Sequence, residues 1–130
     1  SVSVSGDSHT EAMYEFADKV EELSGGSVTC KCYDNGSLFS SENEFDALLN
    51  GDADLAYISF PTIATQIPSY SMFASGYLFS SYEHMTSVLN GDIGLNKIRP
   101  QIEETLNIKP LSSFYLGSRV INTREKEINS

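Results

Sequence analysis

Basic residues are scarce in this chain of 130 residues, which contains 8 Lys and Arg against 18 Asp and Glu. The resulting net charge of −10 repels the phosphates of nucleic acids and anionic membrane surfaces. All of the excess acid lies in the first half, because residues 1–60 hold 12 acids and 2 bases whereas residues 61–130 hold 6 of each. We therefore expect no nucleic acid partner and no membrane-surface partner.

Long hydrophobic runs are also missing. No stretch approaches the roughly 20 apolar residues that a membrane-spanning helix needs, and no basic-then-apolar leader opens the chain. Yet 40% of the residues are hydrophobic and 11% are aromatic, and a chain of this length buries roughly two thirds of its extended surface. The composition predicts a soluble globular segment, processed or not, with residues 1–130 as a single domain.

Cysteine is limited to Cys30 and Cys32. In a strand their side chains would share one face with Cα atoms about 6.5 Å apart, so a disulfide between them would be strained. A zinc site needs more ligands, and the two histidines, His9 and His84, lie far off in sequence without metal-ligand spacing. We expect two reduced thiols and no metal, and the pair does not reveal the redox compartment.

Motifs of catalysis are absent as well. The sequence contains no GxGxxG, GxxxxGK, GxSxG or HExxH pattern. The acids of the first half fall mostly on predicted helix surfaces, where a solvated face is the ordinary interpretation. The sequence therefore predicts that the chain is not an enzyme and carries no cofactor.

Helix signals, by contrast, are plentiful. Three capping boxes, each followed by apolar residues at helical spacing and then by a glycine, are Ser8 with Glu11, Ser41 with Glu44, and Ser80 with Glu83. They predict helices over residues 9–24, from Ser41 to Asn50 and from Ser80 to Asn90. A fourth helix is predicted over residues 95–106, and Pro100 should kink or split it near Arg99.

Segments rich in β-formers alternate with these helices. The predicted strands are residues 1–5, 28–33, 55–60, 109–116 and 119–123. Strands that alternate with crossover helices imply an α/β fold with a mainly parallel sheet and helices on both faces. In such folds ligands bind where the carboxyl ends of strands meet the amino ends of helices.

Two segments fit that position in the predicted fold. Over residues 59–62 a strand ends and Pro61 suits the first turn of a helix, which leaves backbone N–H groups facing outward. Over residues 115–119 a glycine separates two strand-like runs, and Arg119 follows it at the start of the second run. The ordinary alternatives are a plain helix start and an arginine paired with a surface acid, and spacing alone favours these alternatives.

The order of short motifs resembles the extracytoplasmic solute-binding proteins of tripartite ATP-independent periplasmic (TRAP) transporters, the DctP-like family. The matching stretches run from about Ser5 to Ser130 and include residues 15–20 with Ser24-Gly25-Gly26, residues 35–38, residues 49–55, Phe73, residues 77–79, Glu83-His84, residues 88–94, and Gly117-Ser118-Arg119 leading to Asn122-Thr123. Each stretch is short, and their order and separations carry the resemblance.

The resemblance implies the first lobe of a periplasmic-binding-protein-like (type II) fold, whose two lobes close on an organic acid. The resemblance covers only the opening part of such a protein. It does not include the second lobe, which carries the arginine that usually binds the ligand carboxylate. It also does not include the later stretch that completes the sheet of the first lobe. The implied function is capture of a carboxylate-containing metabolite for transport. The implied partners are that ligand and the TRAP membrane subunits, and the implied location is periplasmic or extracytoplasmic, with or without a lipid anchor in a full-length protein.

Site residues follow from the resemblance one by one. Arg119 falls on a first-lobe arginine that reaches the ligand in some members, and its planar charge suits a carboxylate. Ser59 and Phe60 fall on the loop after the third strand, and Ser8 and His9 fall on the first strand-to-helix loop. Some members carry an acid in place of Ser59, so the identity of the ligand stays open.

Two functional classes remain in contention: a transport lobe, and an interaction or regulatory module that kept the fold but lost ligand capture. The length of the natural gene separates them, because a chain about twice this size or more with a signal sequence supports transport. An incomplete sheet would also leave backbone groups unpaired, so we expect self-association.

Overall fold

The computed structural model describes residues 3–117 and residue 124. Within these residues the helical elements are α1 (Ser8–Leu23), α2 (Glu44–Asn50), α3 (Phe60–Ile63), a 3-10 helix (Pro68–Ala74), α4 (Tyr82–Asn90), a π-helix (Gly94–Ile98) and α5 (Arg99–Leu106). Three non-helical segments, residues 29–34, 55–59 and 108–117, separate or follow the helices. The predicted strand over residues 119–123 lies outside the described residues.

The predicted parallel sheet is wrong for the described part of the chain, which contains no β-strand. A strand exists only when its backbone N–H and C=O groups pair with those of a neighbouring strand. The three non-helical segments have β-favourable sequences, but no backbone hydrogen bond joins them to one another within the described residues. In the described part of the chain, therefore, the sequence preference for an extended backbone is present without a β-ladder.

A side chain replaces the ladder for the 108–117 segment. The Asn90 amide Nδ2 donates to the carbonyl oxygen of Ser113 at 2.6 Å, and the Ser113 N–H donates to Asn90 Oδ1 at 2.9 Å. Arg99 Nη2 donates to the same oxygen at 2.8 Å. The two bonds between the Asn90 amide and the backbone of Ser113, called the clasp below, fix the segment against the end of α4. A single amide satisfies both backbone groups of Ser113.

The four predicted helices are confirmed, but their starts differ in detail. α1 begins at Ser8, so the residue before it is Asp7, which makes no side-chain capping bond. In α4 the cap is Ser81, whose Oγ accepts the N–H of His84 at 3.1 Å. α2 begins only at Glu44. The capping boxes therefore predict the correct regions, but of these three helices only α4 has a side-chain capping bond, and its acceptor is Ser81 and not Ser80.

The end of α1 follows its glycine signal closely. Gly25 and Gly26 have φ angles of +62° and +78°, a left-handed region that costs glycine little. Their N–H groups donate to the carbonyls of Glu22 at 3.1 Å and Glu21 at 2.9 Å, the pattern of a Schellman motif.

The predicted break near Arg99 takes the form of a π-helix. The Arg99 N–H donates to the carbonyl of Gly94, five residues earlier, and regular α-helix resumes at Arg99. Pro100 has no N–H to give to a carbonyl four residues earlier, and its ring would clash there. The widened turn relieves that clash.

The core lies in the second half of the described chain. Its buried residues come from the 3-10 helix and its preceding residue, α4, the π-helix and α5: Ile67, Tyr70, Leu89, Ile98 and Ile102. Burial of each large apolar side chain contributes roughly 1.5–3 kcal/mol. Tyr70 also donates its hydroxyl to the Ile98 carbonyl at 3.0 Å, and burial raises the pKa of this hydroxyl.

The first half is less well covered. On α1 the buried residues are Thr10 and Ala17. Phe16 and Leu23, two of the apolar residues at helical spacing that predict this helix, are 45% and 84% exposed. The Thr10 hydroxyl donates to the carbonyl of Val4 at 2.9 Å and ties the start of α1 to the preceding residues.

Replacing Asn90 with alanine should lower the free energy of unfolding by about 2 kcal/mol, because the Ser113 N–H and carbonyl would lose their partners in a half-buried position. Urea unfolding followed by circular dichroism measures the change. Asn96→Ala is the matched control, since the amide of Asn96 bonds only the exposed Asp92 carboxylate among the described contacts. A loss in Asn90→Ala no larger than in the control would show that the clasp does not hold the segment.

Gly94→Ala should destabilise the chain by roughly 1–3 kcal/mol or prevent folding, because overpacking of a close contact has a cost of that size. A Cβ at Gly94 would lie 1.8 Å from the Leu89 carbonyl oxygen, whereas one at Gly76 would meet nothing within 4 Å. Thermal unfolding of Gly94→Ala beside Gly76→Ala tests this, and equal stability of the two variants would contradict it.

Candidate ligand-binding site

A cavity of about 280 Å³ lies at the amino end of α1. Its lining residues come from three parts of the chain, namely the first turns of α1, the 55–59 segment and the 108–117 segment: Ser8, His9, Ala12, Tyr57 and Phe114. The cavity therefore depends on the tertiary arrangement, since no one of these parts encloses it.

Aromatic rings form most of the wall. The ring centroid of Phe114 lies 4.9 Å from that of Tyr57 in an edge-to-face arrangement and 5.2 Å from that of His9. Such offset and tilted contacts are favourable for aromatic pairs. They place three flat, weakly polar surfaces around the cavity, which suits the hydrocarbon or ring part of a ligand.

Polar groups at the cavity are few and mostly engaged. The Tyr57 hydroxyl donates to the His9 carbonyl at 3.3 Å, and burial, with a smaller effect from Cys32, raises the pKa of that hydroxyl. The Tyr57 side chain therefore stays a neutral donor at physiological pH. His9, whose side chain is 16% exposed, places Nε2 at 3.2 Å from the Tyr115 carbonyl oxygen and Nδ1 at 3.5 Å from a carboxylate oxygen of Asp7.

The electrostatics of the cavity are mixed. The first-turn N–H groups of the 16-residue helix α1 receive no bond from the side chain of the capping residue Asp7, and they give the amino end of the helix a partial positive charge, which favours an anion. Asp7 precedes the helix and places a negative charge in the same region. Among the described residues that line the cavity, none is Lys or Arg.

Of the site residues predicted from the sequence, Ser8 and His9 both line the cavity. The predicted Arg119 lies outside the described residues. Ser59 and Phe60 are not among the lining residues, although Tyr57 is only two positions before Ser59. The structure thus places the predicted loop with Ser8 and His9 at the cavity, together with Tyr57, which precedes the predicted loop with Ser59 and Phe60.

Ser59 and Phe60 have clear local roles. Ser59 precedes α3, its Oγ lies 2.9 Å from the Thr62 hydroxyl oxygen, and its carbonyl accepts the Thr62 N–H at 3.0 Å. The outward-facing N–H groups expected at this helix start are therefore partly satisfied within the turn. The ring of Phe60 stacks on Phe73 at 4.3 Å and packs against the core.

Tyr57 and Phe114 were missed by the sequence reasoning. Both lie in predicted strands, where an aromatic residue is normally assigned to the core. The alternation of side chains along an extended segment could have identified Tyr57, because residues two positions apart lie on the same face and Ser59 is a predicted site residue.

The two cysteines are free and half-buried, and burial, followed by the charges of Cys30 and Asp18, raises the pKa of the Cys32 thiol. Within residues 3–117 and 124 no group of three or more His, Cys, Asp or Glu side chains is placed to hold a metal ion. None of the helices in this part of the chain is long and apolar enough to cross a membrane.

Comparison with known proteins gives a consistent result. The family model DctP, described as "Bacterial extracellular solute-binding protein, family 7", matches residues 1–130. The C4-dicarboxylate-binding protein DctB of Bacillus subtilis (strain 168) is 36% identical over 61 residues, which are 47% of this chain and 17% of DctB.

A similar structure is that of a TRAP periplasmic solute-binding protein from Roseobacter denitrificans with bound 3-deoxy-D-manno-oct-2-ulosonic acid (KDO). It superimposes with a TM-score of 0.75 at 31% identity, covering 86% of this chain and 35% of the other. The chain thus spans about a third or less of these two proteins. Both relatives and the family are solute-binding proteins and not enzymes. Because the family model covers the whole sequence, the chain belongs to family 7 of the bacterial extracellular solute-binding proteins, the DctP family of TRAP transporters.

Proposed function

We propose that residues 1–130 form the first lobe of an extracytoplasmic solute-binding protein that captures a carboxylate-containing organic acid for a TRAP transporter. The observation that carries the proposal is the aromatic cavity at the amino end of α1, formed in part by the predicted residues Ser8 and His9. The two similar proteins are named for a C4-dicarboxylate and for bound KDO, and both of these ligands are organic acids.

The described cavity supplies shape more than charge. Its rings and the start of α1 suit the body of a ligand, but the described part of its lining contains no Lys or Arg. We propose that Arg119 supplies the cation, because a guanidinium can hold a carboxylate with two parallel hydrogen bonds. Ser59 and Phe60 stay proposed as residues of the adjoining loop, with Ser59 the more accessible of the two.

The proposed partners are the acid itself and the membrane subunits of the transporter. The proposed location is periplasmic or extracytoplasmic, with or without a lipid anchor in the full-length protein. Self-association of the chain also stays a proposal. The alternative function, an interaction module without ligand capture, predicts that no organic acid binds.

The 130-residue chain alone should bind organic acids only with millimolar or weaker dissociation constants. One lobe offers a single wet wall, and an exposed carboxylate pair contributes about 1 kcal/mol or less, whereas 1 mM affinity already requires about −4 kcal/mol. Titration of succinate, a keto acid and KDO, followed by amide chemical shifts and by calorimetry, measures this affinity.

The location of binding is tested in the same titrations. Amide shifts at His9 and Thr10 should change on addition of acid, and Arg119→Ala should weaken binding more than the charge-matched control Arg124→Ala, since Arg124 is exposed. A micromolar constant would show that the chain binds fully by itself. The absence of any response at these amides, up to the solubility of the acids, would favour the interaction module.

Asp7→Asn should tighten the binding of a carboxylate about threefold, because a unit charge some 6 Å away in water contributes roughly 0.7 kcal/mol of repulsion. The Asp7 carboxylate lies 3.5 Å from Nδ1 of His9, which is one of the residues that line the cavity. Asp18→Asn removes the same charge from an exposed position further along α1 and serves as the control. Equal effects of the two variants would mean that the cavity is not where the anion binds.

A further inference from the structure

The size of the cavity at the amino end of α1 limits the part of a ligand that it can hold. Its volume is about 280 Å³, just below the range of about 300–1,000 Å³ that is typical of small-molecule sites. A water molecule takes up about 30 Å³ in the liquid, so the cavity has room for roughly nine atoms of that size. A six-membered ring with a short side chain fits this space, whereas the whole body of a sugar acid exceeds it.

The polar side chains that line the cavity already face oxygen atoms of the chain itself. The Tyr57 hydroxyl donates to the His9 carbonyl at 3.3 Å. The Ser8 hydroxyl donates to Asp7 Oδ1 at 3.4 Å. The ring nitrogens of His9 lie 3.2 Å from the Tyr115 carbonyl oxygen and 3.5 Å from Asp7 Oδ1. A ligand hydroxyl in the cavity would compete with these contacts, and a buried polar group without a partner weakens binding.

The charge around the cavity opposes a ligand with two carboxylates. Asp7 is acidic and lies beside His9, and the described lining contains no Lys or Arg. One carboxylate can point outward, toward the first turn of α1 or the proposed Arg119. A second carboxylate at the other end of the ligand would enter a space whose described lining offers no cation, and an unpaired buried charge is strongly unfavourable. The cavity therefore favours a ligand whose inner end is uncharged.

The rings of the wall favour an aromatic inner end. Phe114 is 46% exposed, so its ring still has apolar surface to bury when a ligand binds. Its plane is tilted by 69° from that of Tyr57 and by 40° from that of His9. A ligand ring among them can lie offset against one face and meet the edge of another, which are the two arrangements that aromatic pairs prefer. Such contacts increase affinity about two- to tenfold beyond the effect of buried area.

We propose that the acid captured at this cavity is an aromatic monocarboxylate, with its ring against Phe114, Tyr57 and His9 and its carboxylate directed outward. This inference rests on the proposed function, because it names the class of acid that the same site takes. The class differs from the acids for which the two similar proteins are named, a C4-dicarboxylate and the sugar acid KDO.

Titration of the 130-residue chain with four acids, followed by amide and methyl chemical shifts, tests the class of ligand. The dissociation constant of phenylacetate should be at least about fivefold below those of succinate and KDO. It should be about two- to tenfold below that of cyclohexylacetate, which has the same carbon skeleton without the aromatic ring. Phenylacetate should also shift the methyl resonance of Ala12, a lining residue, more than cyclohexylacetate does, because an aromatic ring has a ring current.

A matched pair of variants tests whether the aromatic wall causes this selectivity. Phe114→Leu keeps the wall apolar but removes its ring, so it should reduce the preference for phenylacetate over cyclohexylacetate to less than about twofold. Phe16→Leu makes the same change at a residue of α1 that is 45% exposed and is not among the lining residues. This control should leave the preference unchanged.

Failure of the aromatic class and failure of acid capture give different results. Binding of succinate, KDO or cyclohexylacetate as tight as that of phenylacetate would overturn the aromatic class and leave acid capture standing. Equal preferences in the two leucine variants would overturn the assigned wall. No response to any of the four acids, up to their solubility, would overturn both acid capture and the class of acid inferred from it.

Discussion

The amide of Asn90 is the contact on which the rest of the described site depends. It bonds both backbone groups of Ser113, and Phe114 follows immediately, so the clasp sets where the Phe114 ring lies. That ring in turn meets His9 and Tyr57 and forms a wall of the cavity. Arg99 bonds the same amide oxygen from the start of α5. The end of one helix, the start of another and the cavity are thereby linked through a single polar side chain.

How much of the fold could be predicted differs between helices and strands for a physical reason. A helix is specified by residues within four positions of one another, so the glycines after α1 and Pro100 in the first turn of α5 have the effects that the sequence predicts. A strand is specified by a partner that is distant in sequence. The compositions of residues 29–34, 55–59 and 108–117 suit a strand. Composition does not show, however, whether another segment forms a β-ladder with them.

The candidate site shows the same division. Ser8 and His9 were predictable because the start of α1 is a local feature and the family resemblance directs attention to it. Tyr57 and Phe114 were not, since their contact joins residues 57 positions apart. Asn90 was interpreted only as part of a helix-ending signal, because a bond from its side chain to the backbone of Ser113 has no local sequence pattern. Arg119, the residue with the clearest chemical rationale, lies outside the described residues.

The π-helix between Gly94 and Ile98 gives α5 an unusual sensitivity to length. A π-turn holds one residue more than an α-turn, and each residue advances an α-helix by about 100°. Loss of one residue from this turn would convert it to an α-turn and rotate all of α5 about its axis by that angle. Ile102, which is 4% exposed, would then leave the core and an exposed neighbour would take its place. Insertions and deletions in related sequences should therefore avoid this turn, even where substitutions in it are tolerated.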